Sequence, residues 1–277
     1  MDKFHILEQT KLKQNSMEIK NDKLQNALQY GYQLDFGTVM EKSFDQFKKT
    51  WATGGVAILL IALVIGVFTI GAMGMLIGFS SLTNPALLAE IDFSEYEIVS
   101  LLIYAIIIAI ASGILAPMNA GLIQLIHEAK LGKPLSIGIV FQHYKSPKFK
   151  DLFLAGFIIG SVSSFLTVLL QYYGAEIFAN GFNYLINYFT FLVSPIIIFG
   201  NRNGIDSISD SILLVIKNIP ITAALLVVSG IFVVLGLFAI CIGIIFTSVF
   251  YYCVVYHIYD SIAPIVDNNL IDEIGNE

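Results

Sequence analysis

Charge is what this sequence has least of. Asp, Glu, Lys and Arg make up only 13% of the chain, against about 25% in a soluble domain whose whole surface must be wetted. Half that charge leaves most of the surface to meet something other than water. Cysteine is scarce as well. Cys241 and Cys253 both lie in apolar sequence without metal-ligand spacing, which argues against a disulfide framework. The stretch from Met1 to Lys20 has no apolar core of a cleavable signal peptide, and Met17 offers an alternative start to Met1. No basic patch is interleaved with stacking aromatics on an ordered domain, which argues against nucleic acid as a partner. Nucleophile–base pairs and metal motifs are also missing.

What the chain does have is apolar residues, 56% of the total, gathered in long runs. A helix needs ~20 apolar residues to cross ~30 Å of hydrocarbon, and it satisfies every backbone polar group within itself. Ala52–Gly78, Ile98–Ile126, Leu152–Tyr173 and Asn180–Phe199 meet that length directly. From Ile219 to Ile258 no Lys, Arg, Asp or Glu occurs. One helix of that length would extend ~60 Å at ~1.5 Å per residue, so two spans turning near Cys241–Gly243 fit better. The expected fold is an all-α integral membrane protein with six transmembrane helices arranged as three hairpins, accompanied by interfacial amphipathic helices. Residues 1–34 read as a polar cytoplasmic tail, 35–262 as the membrane domain and 263–277 as an acidic cytoplasmic tail.

Lysine placement orients the spans. Cytoplasmic loops are enriched in Lys and Arg near span ends. Lys42, Lys48 and Lys49 precede span one. Lys130, Lys133, Lys145, Lys148 and Lys150 follow span two, and Arg202 and Lys217 follow span four. The intervening loops, from Phe79 to Glu97 and from Gly174 to Asn180, have no basic residue. This alternation predicts both termini in the cytoplasm and a location in the bacterial cytoplasmic (inner) membrane.

Ahead of span one, Phe36, Met40, Phe44, Phe47 and Trp51 recur at three- or four-residue intervals, with Lys48 and Lys49 among the charged residues between them. Such a helix is expected to lie along the membrane surface, with Phe44, Phe47 and Trp51 in the interface and the lysine heads reaching water. Thr38 and Glu41 have the spacing of a capping box at its start. Leu34-Asp35-Phe36-Gly37 is echoed by Leu135-Ser136-Ile137-Gly138 ahead of span three. A looser echo begins at Gly204, where Ile205, Ile208, Ile212, Val215 and Ile219 form another stripe. The plan this implies is three units, each an interfacial helix followed by a hairpin.

Three segments carry a likeness to known proteins: the run Leu34 to Leu63; Pro117-Met118-Asn119-Ala120-Gly121 with Lys130-Leu131-Gly132-Lys133-Pro134 and Phe141; and Cys241-Ile242-Gly243-Ile244-Ile245. Across Leu34 to Ile262 the chain resembles a broad bacterial group of polytopic membrane proteins of unknown function, similar to the membrane domain fused to some glycerophosphodiester phosphodiesterases. Thr247-Ser248 stands where that group usually has a proline after the last turn. The resemblance implies a fold. It does not carry over phosphodiesterase chemistry, because no soluble phosphodiesterase domain is present.

Candidate chemistry is sparse. Ionisable residues deep in a span mark transport or proton paths because burying them is costly. None of the six runs has one at mid-span, which argues against a proton-coupled pump, though not against a passive conduit or a carrier of neutral molecules. Asn183 and Asn187 share a helical face, with Tyr184 and Tyr188 beside them and Gln171 across the preceding turn. These residues form either a polar cavity for a headgroup or small molecule, or interhelical hydrogen bonds within an aromatic belt. Pro117 and Pro195 each withdraw a backbone donor inside a span and are expected to kink it. Gly156, Gly160 and Ser164 recur every four residues, as do Ala105, Ala109 and Gly113. Such spacing suits close packing inside the bundle more than a dimer face. His127, His143 and His257 with Glu128 could assemble a metal site near the inner face, although no two histidines have the spacing of a helical metal motif. Carotenoid-cleaving oxygenases bind iron through four histidines, but they are long soluble β-propellers, and this chain has no repeated β pattern.

The leading expectation is a non-enzymatic scaffold, accessory subunit or membrane-homeostasis factor without cofactor, partnered by membrane lipids and by a membrane complex or second copies of itself. The alternative is a carrier or binder of lipid or small amphiphile. A metal-dependent membrane enzyme comes third.

Overall fold

A computed structural model describes residues 22–79, 97–239 and 243–265. Among these residues every regular element is helical. Helix α1 covers residues 22–30, and α2 runs Phe36–Ile77. Next come α3, Ile98–Lys130, the single turn α4, Gly138–Phe141, and a 3-10 turn at Gln142–Lys145. Helix α5 is Phe149–Tyr172, α6 Glu176–Thr190 and α7 Val193–Phe199. The last three are α8, Gly204–Lys217, α9, Ile219–Ala239, and α10, Gly243–Ile262.

Five segments are long and apolar enough to cross a membrane: most of α2, all of α3, all of α5, α6 continuing into α7, and α9. Their outward faces carry rows of large aliphatic side chains, such as Leu59, Leu63, Val67 and Ile70 on α2 and Val227, Ile231, Val234 and Leu235 on α9. A hydrocarbon solvent accepts such a face at no cost, whereas water would not. The long helices pack side by side in the order α9, α10, α2, α3, α5, α6.

Helix α2 departs from the sequence expectation. The stretch read as a separate surface helix continues without a break into the apolar run, giving one helix of 42 residues, about 63 Å long at ~1.5 Å per residue. Its start is also shifted. Asp35 is the N-cap, its Oδ1 accepting from the Thr38 amide at 2.7 Å, so the cap lies three residues before the Thr38 of the expected capping box. Hydrogen bonding to Thr38, first through its side chain and second through its amide, holds the Asp35 carboxyl below its ordinary pKa. In the first half of α2 the buried face is polar: Ser43, Gln46 and Thr50 point inward, and Gln46 Nε2 donates to the Ile126 carbonyl at 2.8 Å. Phe44 and Trp51 stay exposed. Phe44 and Phe47 also meet Phe232 of α9 and Phe250 of α10 edge-on, with centroids 5.4 to 6.2 Å apart.

The boundary drawn at residue 34 moves as well. Leu24, Ala27 and Leu34 are buried in the same core as Val39, Ile126, Ile196, Leu214, Tyr256 and Tyr259, so residues 22–34 belong to the bundle. Around this core several basic side chains find partners. Lys130 pairs with Asp260 at 2.6 Å and Arg202 with Asp210 at 2.9 Å. Lys148 Nζ donates to Asn201 at 2.5 Å, and Lys217 Nζ to the Gln29 carbonyl at 3.3 Å. The helix ends that carry the lysines are thereby gathered at one end of the bundle.

The three sequence echoes fall at helix starts. Phe36 opens α2 and Gly138 opens α4. Gly204 opens α8, where the Asn203 side chain caps the Asp206 amide at 2.8 Å. On α8, Ser207, Asp210 and Ser211 are buried while Ile205, Leu213 and Ile216 are exposed. Leu214 and Val215 of the same helix are fully buried in the core, so α8 presents apolar side chains both to the bundle and outward.

Candidate functional site

Helices α3 and α5 approach each other closely because small residues face each other across the contact. A side chain at Gly156 would begin 2.5 Å from Ala116 Cβ and 2.8 Å from the Ser112 carbonyl oxygen, and one at Gly160 would begin 2.6 Å from Ser112 Oγ. Ser164 Oγ donates across the contact to the Ala105 carbonyl at 3.0 Å. The small-residue stripes of the two helices therefore meet inside the bundle, where contact without a hydrophobic drive depends on backbone proximity.

Beside this contact, α6 and α7 stand away from the α3–α5 pair and leave a cavity of about 480 Å³, within the ~300–1,000 Å³ of small-molecule sites. Helix α3 contributes Tyr104, Ser112 and Asn119; α5 contributes Ser163, Ser164 and Thr167; α6 and α7 contribute Asn183, Asn187, Thr190 and Ser194. Every lining side chain is neutral. The wall is thus rich in hydroxyl and carboxamide groups within helices that are otherwise apolar.

Some of these groups are satisfied locally. Ser112 and Thr190 donate to carbonyls one turn back, Ile108 at 2.9 Å and Ile186 at 2.7 Å. Asn187 Nδ2 donates to the carbonyl and the Oδ1 of Asn183, at 2.9 and 2.7 Å, which fixes the two carboxamides relative to each other. Among the described residues, Asn187 Oδ1, Asn183 Nδ2 and the hydroxyls of Ser163, Thr167 and Ser194 have no protein partner. A hydroxyl or amide left unpaired in a low-dielectric setting costs ~1–3 kcal/mol. Water or a ligand that supplies complementary groups recovers that cost. An ion would not be stabilised, because no opposite charge lines the wall.

The break between α6 and α7 lies along this wall, between the lining residues Thr190 and Val193. Pro195 has no N–H to offer the Phe191 carbonyl, and helical pairing lapses at Phe191 and Leu192. Pro117, by contrast, sits buried inside a continuous α3, where it leaves the Gly113 carbonyl without its usual donor.

The residues proposed from sequence are separated by the fold. Asn183 and Asn187 line the cavity together. Tyr184 points outward, 78% exposed. Tyr188 turns toward α9, its hydroxyl bonding the Ile219 carbonyl at 3.1 Å and Thr222 Oγ1 at 2.9 Å, and Gln171 does not line the cavity. The contributions of α3, α5 and α7 went unrecognised in the sequence. Their signal was present as polar groups recurring every three or four residues inside apolar runs, at Ser163 and Thr167 and again through Asn183, Asn187, Thr190 and Ser194.

The histidines do not gather. His127 Nδ1 pairs with the Tyr256 hydroxyl at 2.9 Å, His143 Nδ1 lies 3.5 Å from Ser146 Oγ, and His257 is buried in α10. Glu128 is engaged by Lys133 at 3.0 Å and Gln124 at 2.8 Å. Among the described residues no three His, Cys, Asp or Glu side chains are placed to share a metal ion; His5 and Cys241 lie outside the described residues.

No family model, no curated protein and no solved structure matches this chain.

Proposed function

We propose that this protein binds, and passes across or along the membrane, a neutral small amphiphile whose polar head occupies the cavity between α3, α5, α6 and α7. One observation carries the reading: a cavity of about 480 Å³ lined by uncharged hydrogen-bonding groups, several without protein partners, within helices otherwise suited to lipid. Such a wall favours hydroxyl, ester or amide headgroups and discriminates against phosphate or ammonium, which would arrive without a counter-charge.

The same proposal has the chain crossing six times as three hairpins, with both ends on the lysine-rich side of a bacterial cytoplasmic membrane. Two features support it. Helix α10 is of spanning length, packs against both α9 and α2, and begins four residues after α9 ends. The basic helix ends also cluster at one end of the bundle, as the positive-inside rule requires. Cysteine-accessibility mapping at position 95 tests the orientation, and labelling from the cytoplasmic side would reverse it.

Native mass spectrometry of the detergent-solubilised protein with added dioleoylglycerol or dioleoylphosphatidic acid tests the binding. The neutral lipid should be retained and the anionic one not. Asn187→Leu removes the unpartnered Oδ1 acceptor and the bonds that position the Asn183 carboxamide, at ~1 kcal/mol for each group affected, and should weaken retention about tenfold or more. Equal retention of both lipids, or an unchanged Asn187→Leu, would remove the reading.

A second reading is a scaffold or accessory subunit. It draws on the outer face of α6, where Ile177, Phe178 and Tyr184 are 66 to 85% exposed and a partner helix could cover them. A protein that co-purifies stoichiometrically after mild extraction, with no retained neutral lipid, favours this alternative.

A further inference from the structure

Asn119 faces two recesses. Besides the polar cavity it lines a second one of about 500 Å³ on the opposite side of α3. That recess is bounded by Ile58, Ile61 and Ile65 of α2, by Val233 and Val234 of α9, and by Tyr251 and Tyr252 of α10. Its α2 and α9 walls are aliphatic, while α10 supplies Ser248, Tyr251 and Tyr252 and α3 supplies Asn119. Between the two recesses stands one hydrogen bond: the Tyr252 hydroxyl donates to Asn119 Oδ1 at 2.8 Å. Among the described residues the Nδ2 of Asn119 has no protein partner.

We infer that the two recesses form one bipartite site, in which the acyl chain of a neutral glycerolipid fills the second recess while its head occupies the polar cavity. This rests on the reading of the cavity given above and deepens it by naming the ligand class. The sequence of environments along the site, uncharged polar wall, then carboxamide, then aliphatic wall, matches the order of groups in a monoacylglycerol: hydroxyls, then ester, then hydrocarbon. The free N–H groups of Asn119 are donors suited to the ester carbonyl at the junction. Tyr252 offers an exchangeable partner, because a ligand that displaces its hydroxyl replaces one modest hydrogen bond with another. A polar pair inside an apolar bundle at the meeting point of two recesses has a use in this arrangement that packing alone does not give it.

The test uses the full chain in phosphatidylcholine nanodiscs with a monoacylglycerol carrying a diazirine at its chain end. Photolysis is followed by peptide mapping. In the wild type, adducts are expected on α2 and α9 at residues such as Ile61, Ile65 and Val234. Because head and chain belong to one ligand, Asn187→Leu on the far side of α3 should lower those adducts about tenfold. Thr167→Val, nearly isosteric and on a different helix, should lower them in the same direction should Asn187→Leu fold poorly. Adducts on the second recess that persist unchanged in both cavity variants would overturn the inference, since ordinary bilayer lipid would then fill it independently. Adducts confined to cavity residues such as Ile159 or Ile197 would overturn it as well, while leaving the cavity reading standing. Failure of the wild type to retain neutral lipid in the mass-spectrometric assay would instead sink the cavity reading itself.

Discussion

Replacing Gly121 with alanine sets two opposing effects against each other, and the structure decides the winner. Gly121 lies in the buried part of α3 beside the backbone of α4. A Cβ there would overlap the Val140 carbonyl oxygen and stand 2.6 Å from both its carbonyl carbon and its Cα. Carbon atoms rest at ~3.5–4.0 Å, so the α4 backbone would have to retreat by about 1 Å. Overpacking of this kind costs ~1–3 kcal/mol, and the upper end applies because a backbone, unlike a flexible side-chain tip, cannot rotate away. Against that, alanine in a helix interior gains ~1 kcal/mol over glycine. The net loss is about 2 kcal/mol, which for a chain of this size lowers the melting midpoint by about 4–8 °C. Gly66, in the middle of α2, is the matched control, since a Cβ there would meet nothing within 4 Å. Only the propensity gain should remain, raising the midpoint by up to about 2–4 °C. Thermal melts followed by circular dichroism at 222 nm in one detergent compare the two directly. A Gly121→Ala midpoint at or above wild type, or a comparable fall in Gly66→Ala, would refute the close approach of α4 to α3.

Arg202→Ala should be destabilising, because it leaves the Asp210 carboxylate, 7% exposed, without the guanidinium 2.9 Å away. Burial already pushes the Asp210 pKa up and Arg202 only partly offsets this. Breaking a fully buried pair costs ~3–5 kcal/mol; partial exposure of Arg202 reduces that to about 1–3 kcal/mol. Adding Asp210→Leu should restore much of the loss, and a double variant as unstable as the single one would count against the pair. His143, in the loop before α5, is buried and its pKa is lowered from 6.5 by that burial. The unfolded chain therefore binds this proton more readily than the folded one. Its contribution to stability is intact above pH 6.5 and erodes as pH falls toward the folded value. Melting midpoints at pH 7.5 and 5.5 should differ more in the wild type than in His143→Leu, and equal differences would dismiss the assignment.

Much of the fold was legible because membranes impose simple rules. Apolar runs of sufficient length had to be helices, and the lysines marked one set of helix ends. The pairing of Asn183 with Asn187 on one face followed from helical periodicity alone. The remainder of the cavity did not follow, since Ser112, Thr167 and Ser194 lie in three different segments whose mutual rotation no local pattern encodes. The length of α2 was misread for a related reason. Charged residues among Phe44, Phe47 and Trp51 look like a surface helix, but Ser43, Gln46 and Thr50 are buried against the bundle, where Gln46 bonds the Ile126 carbonyl and Thr50 meets Cys253. Leu24 and Leu34 looked like part of a polar tail because their neighbours are polar, and only the core formed by distant segments explains their burial.

The amino-acid order by itself determined the solvent of this protein and the periodicity of its helices, because transfer free energies and the 3.6-residue turn act on nearest neighbours. Which polar groups would face one another, that Asn119 would stand between two recesses, and that the helix would break ahead of Pro195 but run on through Pro117, were decided by tertiary packing. Those outcomes depend on how whole helices dock, and docking is set by close contacts such as Gly156 and Gly160 against Ser112, which join residues far apart in the chain.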